Sequence, residues 1–329
     1  MPDPRHHEAV DLVAVEVENR IVEIQNMNLE TYFAVSADPF YYAALVVDFT
    51  LLFAMLVLVR LLFGRTAGGV NTTVELAEKD NHAFGISLGG ATVALAIVFA
   101  GVASGDIATS LLTEGLYVFG YGILGILMLM CTRWIFDNII FPKIDLKQMI
   151  SQGNIAAGIL DAGNMIATAI VIFGVFAWST GDWLSALSVV VGMFFITQLL
   201  LALVSRYRVN LFAKRNAGRF FRDAINEGNA ALAIRFSGFQ IGAALAISTS
   251  GNLVIFSEGT DLLLSVVAWA VIALVLLISV VVLTSLIEKV VLYGISVEQE
   301  VDKEVNYGVA AVEAGAYIGL GLLLVSLLG

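Results

Sequence analysis

Residues 154–163 read NIAAGILDAG, and residues 306–315 read NYGVAAVEAG. Each stretch opens on asparagine, places an acid seven residues later (Asp161 or Glu313), and closes on Ala-Gly. Two weaker echoes stand elsewhere. When Asn81, Asn154, Asn229 and Asn306 are aligned, a glycine follows nine residues on in every copy: Gly90, Gly163, Gly238 and Gly315. The residue before that glycine is always small: Gly89, Ala162, Ser237 or Ala314. Thirteen residues on stand Ala94, Ala167, Gly242 and Gly319. Positions nine and thirteen share one helical face, and small residues on such a face let two helix backbones approach closely in lipid. The asparagines fit helix starts, where the side chain accepts from a free backbone N–H.

The surroundings of these stretches are strongly apolar. Hydrophobic residues make up 59 % of the chain, charged residues 14 %, and mean hydropathy is +0.90. Soluble domains carry about 45–50 % apolar and about 25 % charged residues, so the composition is that of an integral membrane protein. Eight runs are long enough to cross a bilayer. They lie near 40–64, 83–104, 108–136, 156–179, 183–205, 230–250, 261–288 and 307–328. All four prolines fall outside these runs, which predicts unbroken helices and weighs against transporter folds built on proline-broken spans. The expected fold is all-α: a polytopic membrane protein of eight transmembrane helices, arranged as four parallel two-helix repeats. Each repeat is an odd span, a polar loop, an asparagine and an even span, with the even spans packed at the centre. Two four-helix halves follow, 40–182 and 183–329. They are preceded by a tail, 1–39, whose Val10, Ala14, Val17, Ile21 and Ile24 predict one amphipathic helix between about 8 and 30.

Lys and Arg set the expected orientation. The loops after spans one, three, five and seven are basic. Those after spans two, four and six hold no Lys or Arg and carry Asp106, Asp182 and Glu258. The positive-inside rule then puts the basic loops in the cytoplasm and both termini on the periplasmic or external side. The segment 206–228, RYRVNLFAKRNAGRFFRDAINEG, combines six bases with aromatic residues and reads as an interfacial helix for anionic lipid headgroups. A cytoplasmic protein partner is its alternative ligand.

Charges inside the spans are the candidate functional residues, because a buried charge is costly unless it is paired or faces a wet cavity. At 1.5 Å per residue, Asp161 and Glu313 lie about 10 Å past their asparagines, and Arg235 lies about 9 Å past Asn229. Asn164 follows Asp161 by one turn, and Asp48 enters span one by about 12 Å from the other side. One reading makes Asp161 and Glu313 a cation or proton path whose field is set by Arg235. The other makes them structural partners of an arginine in a scaffold that transports nothing. One arginine cannot neutralise two acids.

The net charge of −11 argues against nucleic acid as a partner. Cys131 alone forms no intrachain disulfide and no cysteine metal site, and His6 and His7 have no ligand set around them. No P-loop, HExxH or GxSxG motif is present, so no enzyme, cofactor or metal is expected.

The eight-span pattern, the asparagine motifs and the paired acid positions resemble the DUF350 family, the YjfL-like membrane proteins. Its members are similar to one half of this chain, so two copies look fused here. The resemblance implies a bacterial inner-membrane protein and a role in membrane stress beside a PspA-like cytoplasmic partner, with oligomer formation open. The long N-terminal tail departs from the family pattern.

Overall fold

The computed structural model describes residues 38–66, 69–105, 107–141, 145–178, 183–254 and 262–328. The amphipathic helix expected over 8–30 lies outside the described residues, as do His6 and His7. Those described are helical, with no strand among them. Eight helices are long and apolar enough to cross a membrane. They are α1 (Pro39–Thr66), α2 (His82–Ala103), α3 (Leu111–Ile135), α4 (Ile155–Trp178), α5 (Trp183–Arg215), α6 (Ala230–Thr249), α7 (Leu262–Val291) and α8 (Tyr307–Leu328). The chain is a multi-pass integral membrane protein. The first residues of α1, through Val46, belong to one compact unit, and the described residues from Val47 onward form another that holds α2–α8 and most of α1.

Each even helix starts on one of the four asparagines. The Oδ1 atoms of Asn81, Asn154 and Asn229 accept from the backbone N–H of Phe84, Ala157 and Leu232 at 3.0, 3.0 and 2.8 Å. Asn306 accepts from Gly308 and Val309. The capping expected of all four is therefore present. The chain takes a left-handed turn at the residue before each cap: Asp80, Gly153, Gly228 and Val305 have φ of 47°, 83°, 85° and 57°. Glycine adopts that conformation without strain, whereas a β-branched valine does not.

The small residues decide how the even helices meet. A Cβ on Gly90 of α2 would fall 2.4 Å from the Cβ of Ala162 on α4. One on Gly163 of α4 would fall 2.4 Å from the Cβ of Ser237 on α6, and one on Gly238 of α6 would fall 2.3 Å from that of Ala314 on α8. Nearer the far end, Gly101 meets Phe173, Gly174 meets Ser248 and Gly321 meets Leu245. Both ends of each pair correspond, so the four helices run parallel, side by side, in the order α2, α4, α6, α8. At each junction position nine of one helix lies on position eight of the next. The two middle helices form the interior, with 78 % of the α4 span and 89 % of the α6 span buried against 22 % for α8. The odd helices lie outside this row. Their exposed faces carry large apolar residues, such as Phe49 and Phe53 on α1 and Leu264 and Val271 on α7, as contact with lipid tails requires.

Two expectations are corrected. Gly315 does not pack among the described residues: it is exposed, and a Cβ there would meet none of them within 4 Å, because α8 is the last described helix of the row. The segment 206–228 is not one interfacial helix. Its first ten residues continue α5 to Arg215, and a separate helical turn covers Phe221–Asn226. Of its bases, Arg206, Lys214 and Arg215 are exposed, Arg219 and Arg222 are half-buried, and Arg208 turns inward. Arg206 donates to the carbonyl of Ile140, Arg208 is buried, Arg219 pairs with Glu227, and Arg222 pairs with Asp223.

Candidate functional site

Asp161 sits on α4 with 1 % of its surface exposed. Its Oδ2 lies 3.1 Å from Nη2 of Arg133 on α3 and accepts from the hydroxyl of Ser87 on α2. The Arg133 guanidinium stacks over Phe63 at 4.9 Å, a cation–π contact that helps hold it inside the bundle. Arg133 also borders a cavity of about 170 Å³ with Asp137, Lys147 and Trp134. Among the described residues, the other oxygen of Asp161 has no hydrogen-bond partner, and the same holds for Asn164 Nδ2 and Thr168 Oγ1. These three residues stand at i, i+3 and i+7, one buried face of α4.

Glu313 on α8 is fully buried. Its Oε1 accepts from Nη2 of Arg208 on α5 at 3.0 Å, and its Oε2 lies 2.5 Å from Nε of Arg235 on α6. Arg235 reaches on to Asp302 at 3.1 Å, and Asn216 donates to the second oxygen of Asp302 at 2.8 Å. Arg208 also donates to the Tyr317 hydroxyl at 3.2 Å and lies over the Phe239 ring at 4.6 Å. Glu288 of α7 faces the same carboxylate. Burial holds the Asp302 carboxyl above the usual range, although Arg235 and Asn216 pull it the other way. Two guanidinium groups and three carboxylates thus tie α5, α6, α7, α8 and the turn before α8 together.

The two sites share a design. Ser87 and Arg235 both stand six residues past their asparagines, Asn81 and Asn229, and each contacts the acid seven past the next asparagine. They are nevertheless separate sites. Asp161 and Glu313 stand on α4 and α8, with α6 between them in the row, so no single group of residues joins them. Arg235 pairs with Glu313, not with Asp161. Asp48 enters α1 near the opposite end of the bundle and faces Glu114 of α3 rather than either site.

Sequence reasoning missed Arg133 and Arg208, which it assigned to basic loops. Both lie on helices and are turned inward with side chains 9 % exposed. A signal existed: Arg133 and Arg208 each precede their asparagine by 21 residues, as does the exposed Arg60. These arginines also answer the charge count, since neither acid depends on Arg235 alone. Chemically, each site is a closed ion pair in a low-dielectric setting. Such a pair contributes little net stability but makes loss of either partner costly. Cavities of about 20 Å³ beside Arg208 and Arg235, and of about 470 Å³ beside Glu288 and Lys289, lie close to the second site. Neither acid lines either of these cavities or the one beside Arg133.

A family model described as Domain of Unknown Function (DUF350) matches residues 36–176, 108–217 and 182–328. The three matches overlap and start about one hairpin apart. No curated protein matches the chain, and no solved structure does.

Proposed function

The chain belongs to the DUF350 family, and on that premise we propose that it is a multi-pass scaffold of the bacterial inner membrane that conducts no ions. Its four hairpins are copies of one unit, its basic loops lie in the cytoplasm, and they recruit anionic lipid or a cytoplasmic stress protein. One observation carries this reading: Asp161 and Glu313 are each sealed against an arginine, and neither lines any of the three cavities described above. A conducting acid needs an aqueous approach, and a paired, buried one has none. In proteoliposomes loaded with a pH-sensitive dye, under a proton or potassium gradient, the leak should equal that of empty vesicles. The double variant D161N/E313Q should leave it unchanged. A flux above that baseline which the double variant abolishes would overturn the scaffold reading.

A second reading is favoured by the face of α4 that holds Asp161, Asn164 and Thr168. Three buried polar atoms without partners among the described residues, spread over about two turns, suit a short proton relay. In that case D161N alone would abolish the flux, and E313Q would spare it.

A further inference from the structure

We propose that the row of even helices continues through a second copy of this chain, with the open face of α8 in one copy seated on the open face of α2 in the next. The inference goes beyond the scaffold reading and holds whether or not ions are conducted. Three internal junctions use one register: position nine past the asparagine lies on position eight of the following helix. Helix α8 presents its own position nine, Gly315, and its position thirteen, Gly319, with none of the described residues within 4 Å of where a Cβ would stand. Helix α2 presents its own position eight, Gly89, equally open. The two ends of the row are therefore the two halves of the junction already made three times inside the chain.

A second set of contacts follows the same order. The side-chain amide of Asn81 donates to the carbonyl of Ile150, that of Asn154 to Ile225, and that of Asn229 to Val301. Each asparagine so pins the turn before the next even helix. The amide of Asn306 donates to Glu300, as that of Asn81 does to Glu75, but among the described residues it meets no turn equivalent to the one that Asn81 also pins at Ile150. The turn Val74–Glu78, before α2, is the matching element at the other end, and Leu76 and Ala77 there are exposed. The amide of Asn306 in one copy would reach this turn in the next.

Orientation permits the join. The even helices are parallel, so a second copy inserted in the same direction extends the row by lateral docking alone. The composition of the open faces fits it as well. Lipid-facing α1 and α7 are covered by Phe, Leu and Val. The free face of α2 mixes Gly89, Ala96 and Ala100 with the larger Ile86 and Val93, all exposed. Small residues gain little against lipid tails and much against a second backbone. Such a head-to-tail contact is heterologous and gives a ring if its rotation closes and a filament if it does not.

Cysteine crosslinking of the full-length chain in membranes tests this. Differently tagged G89C and G315C variants, each with Cys131→Ser, are co-expressed and oxidised. The expected product is a mixed dimer carrying both tags, with no dimer when either variant is expressed alone. Dimers from one variant alone would mean a two-fold contact and would overturn the proposal. So would monomer throughout, or intrachain crosslinking of Gly315→Cys to a cysteine placed within residues 8–30, since the tail would then cover the face. As a control for folding, Gly319→Leu added to the G315C variant should abolish the mixed dimer, while Gly315→Leu alone leaves the melting temperature of the isolated chain unchanged. Gly238→Leu, at the equivalent internal junction, should lower that temperature sharply. If Gly315→Leu destabilises the isolated chain as much as Gly238→Leu does, its face is not open and the inference fails.

Discussion

Around Asp161 one arginine and one serine hydroxyl hold the carboxylate, and the arginine borders a cavity. Around Glu313 two arginines, a tyrosine and two further acids close over a carboxylate with no exposed surface. The acids occupy the same frame seven residues past an asparagine. The neighbour six past the preceding asparagine differs, serine in one half and arginine in the other. So do the positions of Asp302, Glu288 and Tyr317, which in the first half hold Ile150, Phe136 and Met165 and leave Asp161 with a single ion pair. The difference teaches that a repeated acid fixes where a charge is buried, while its partners fix how tightly it is locked.

The largest test of that contrast removes each acid in turn. Glu313→Gln takes a carboxylate from two guanidinium groups, Arg208 losing its ion pair while Arg235 keeps Asp302, and breaking a buried pair this way costs about 3–5 kcal/mol. It should show as a large fall in melting temperature in detergent or a loss of folded yield. Asp161→Asn strands one, which can still turn toward Asp137 across the cavity they both line, so its loss should be the smaller. Equal losses would mean that the extra partners around Glu313 add nothing. The pair at Asp161 can be examined further with D161N/R133M. Because the two residues are in contact, the double variant should be less destabilised than the sum of its parts, by about 0.5–3 kcal/mol.

A smaller effect separates the inner caps from the last one. Asn154→Ala removes a cap, worth about 1 kcal/mol, and a link to the next turn, worth about another 1 kcal/mol. Asn306→Ala removes a cap and only a contact within its own turn. Thermal melts of the isolated chain should rank Asn154→Ala as the more damaging. The ranking should narrow if assembly supplies Asn306 with a neighbouring turn. The smallest change concerns the left-handed residue before each cap. Val305→Gly should raise stability by about 0.5–1 kcal/mol, strain relief being partly offset by glycine's freedom in the unfolded chain. Gly228→Val, at the equivalent place, should lower it.

Much of this was legible in the residues. The spans stood out because about 20 apolar residues in a row have few fates other than crossing a membrane. The asparagine caps and the packing glycines at 90, 163 and 238 were readable because capping and close approach depend on residue type at fixed spacing. Gly315 carried the same local signal as Gly238, yet only its place at the end of the row leaves it open. Arg133 and Arg208 were misplaced because the positive-inside rule counts bases near helix ends and is silent on which way a long side chain turns.

By itself the sequence determined the number of membrane helices, the repeated start of every second one, and the burial of an acid in two of them. All of these are local consequences of hydrophobicity and helical period. The tertiary structure alone decided which arginine meets which acid, that the two acids occupy separate sites, and that the row has two complementary open ends. Those outcomes depend on which helices become neighbours, and side chains from 28 residues apart, as Arg133 and Asp161, to 105 apart, as Arg208 and Glu313, meet only once the backbones have packed.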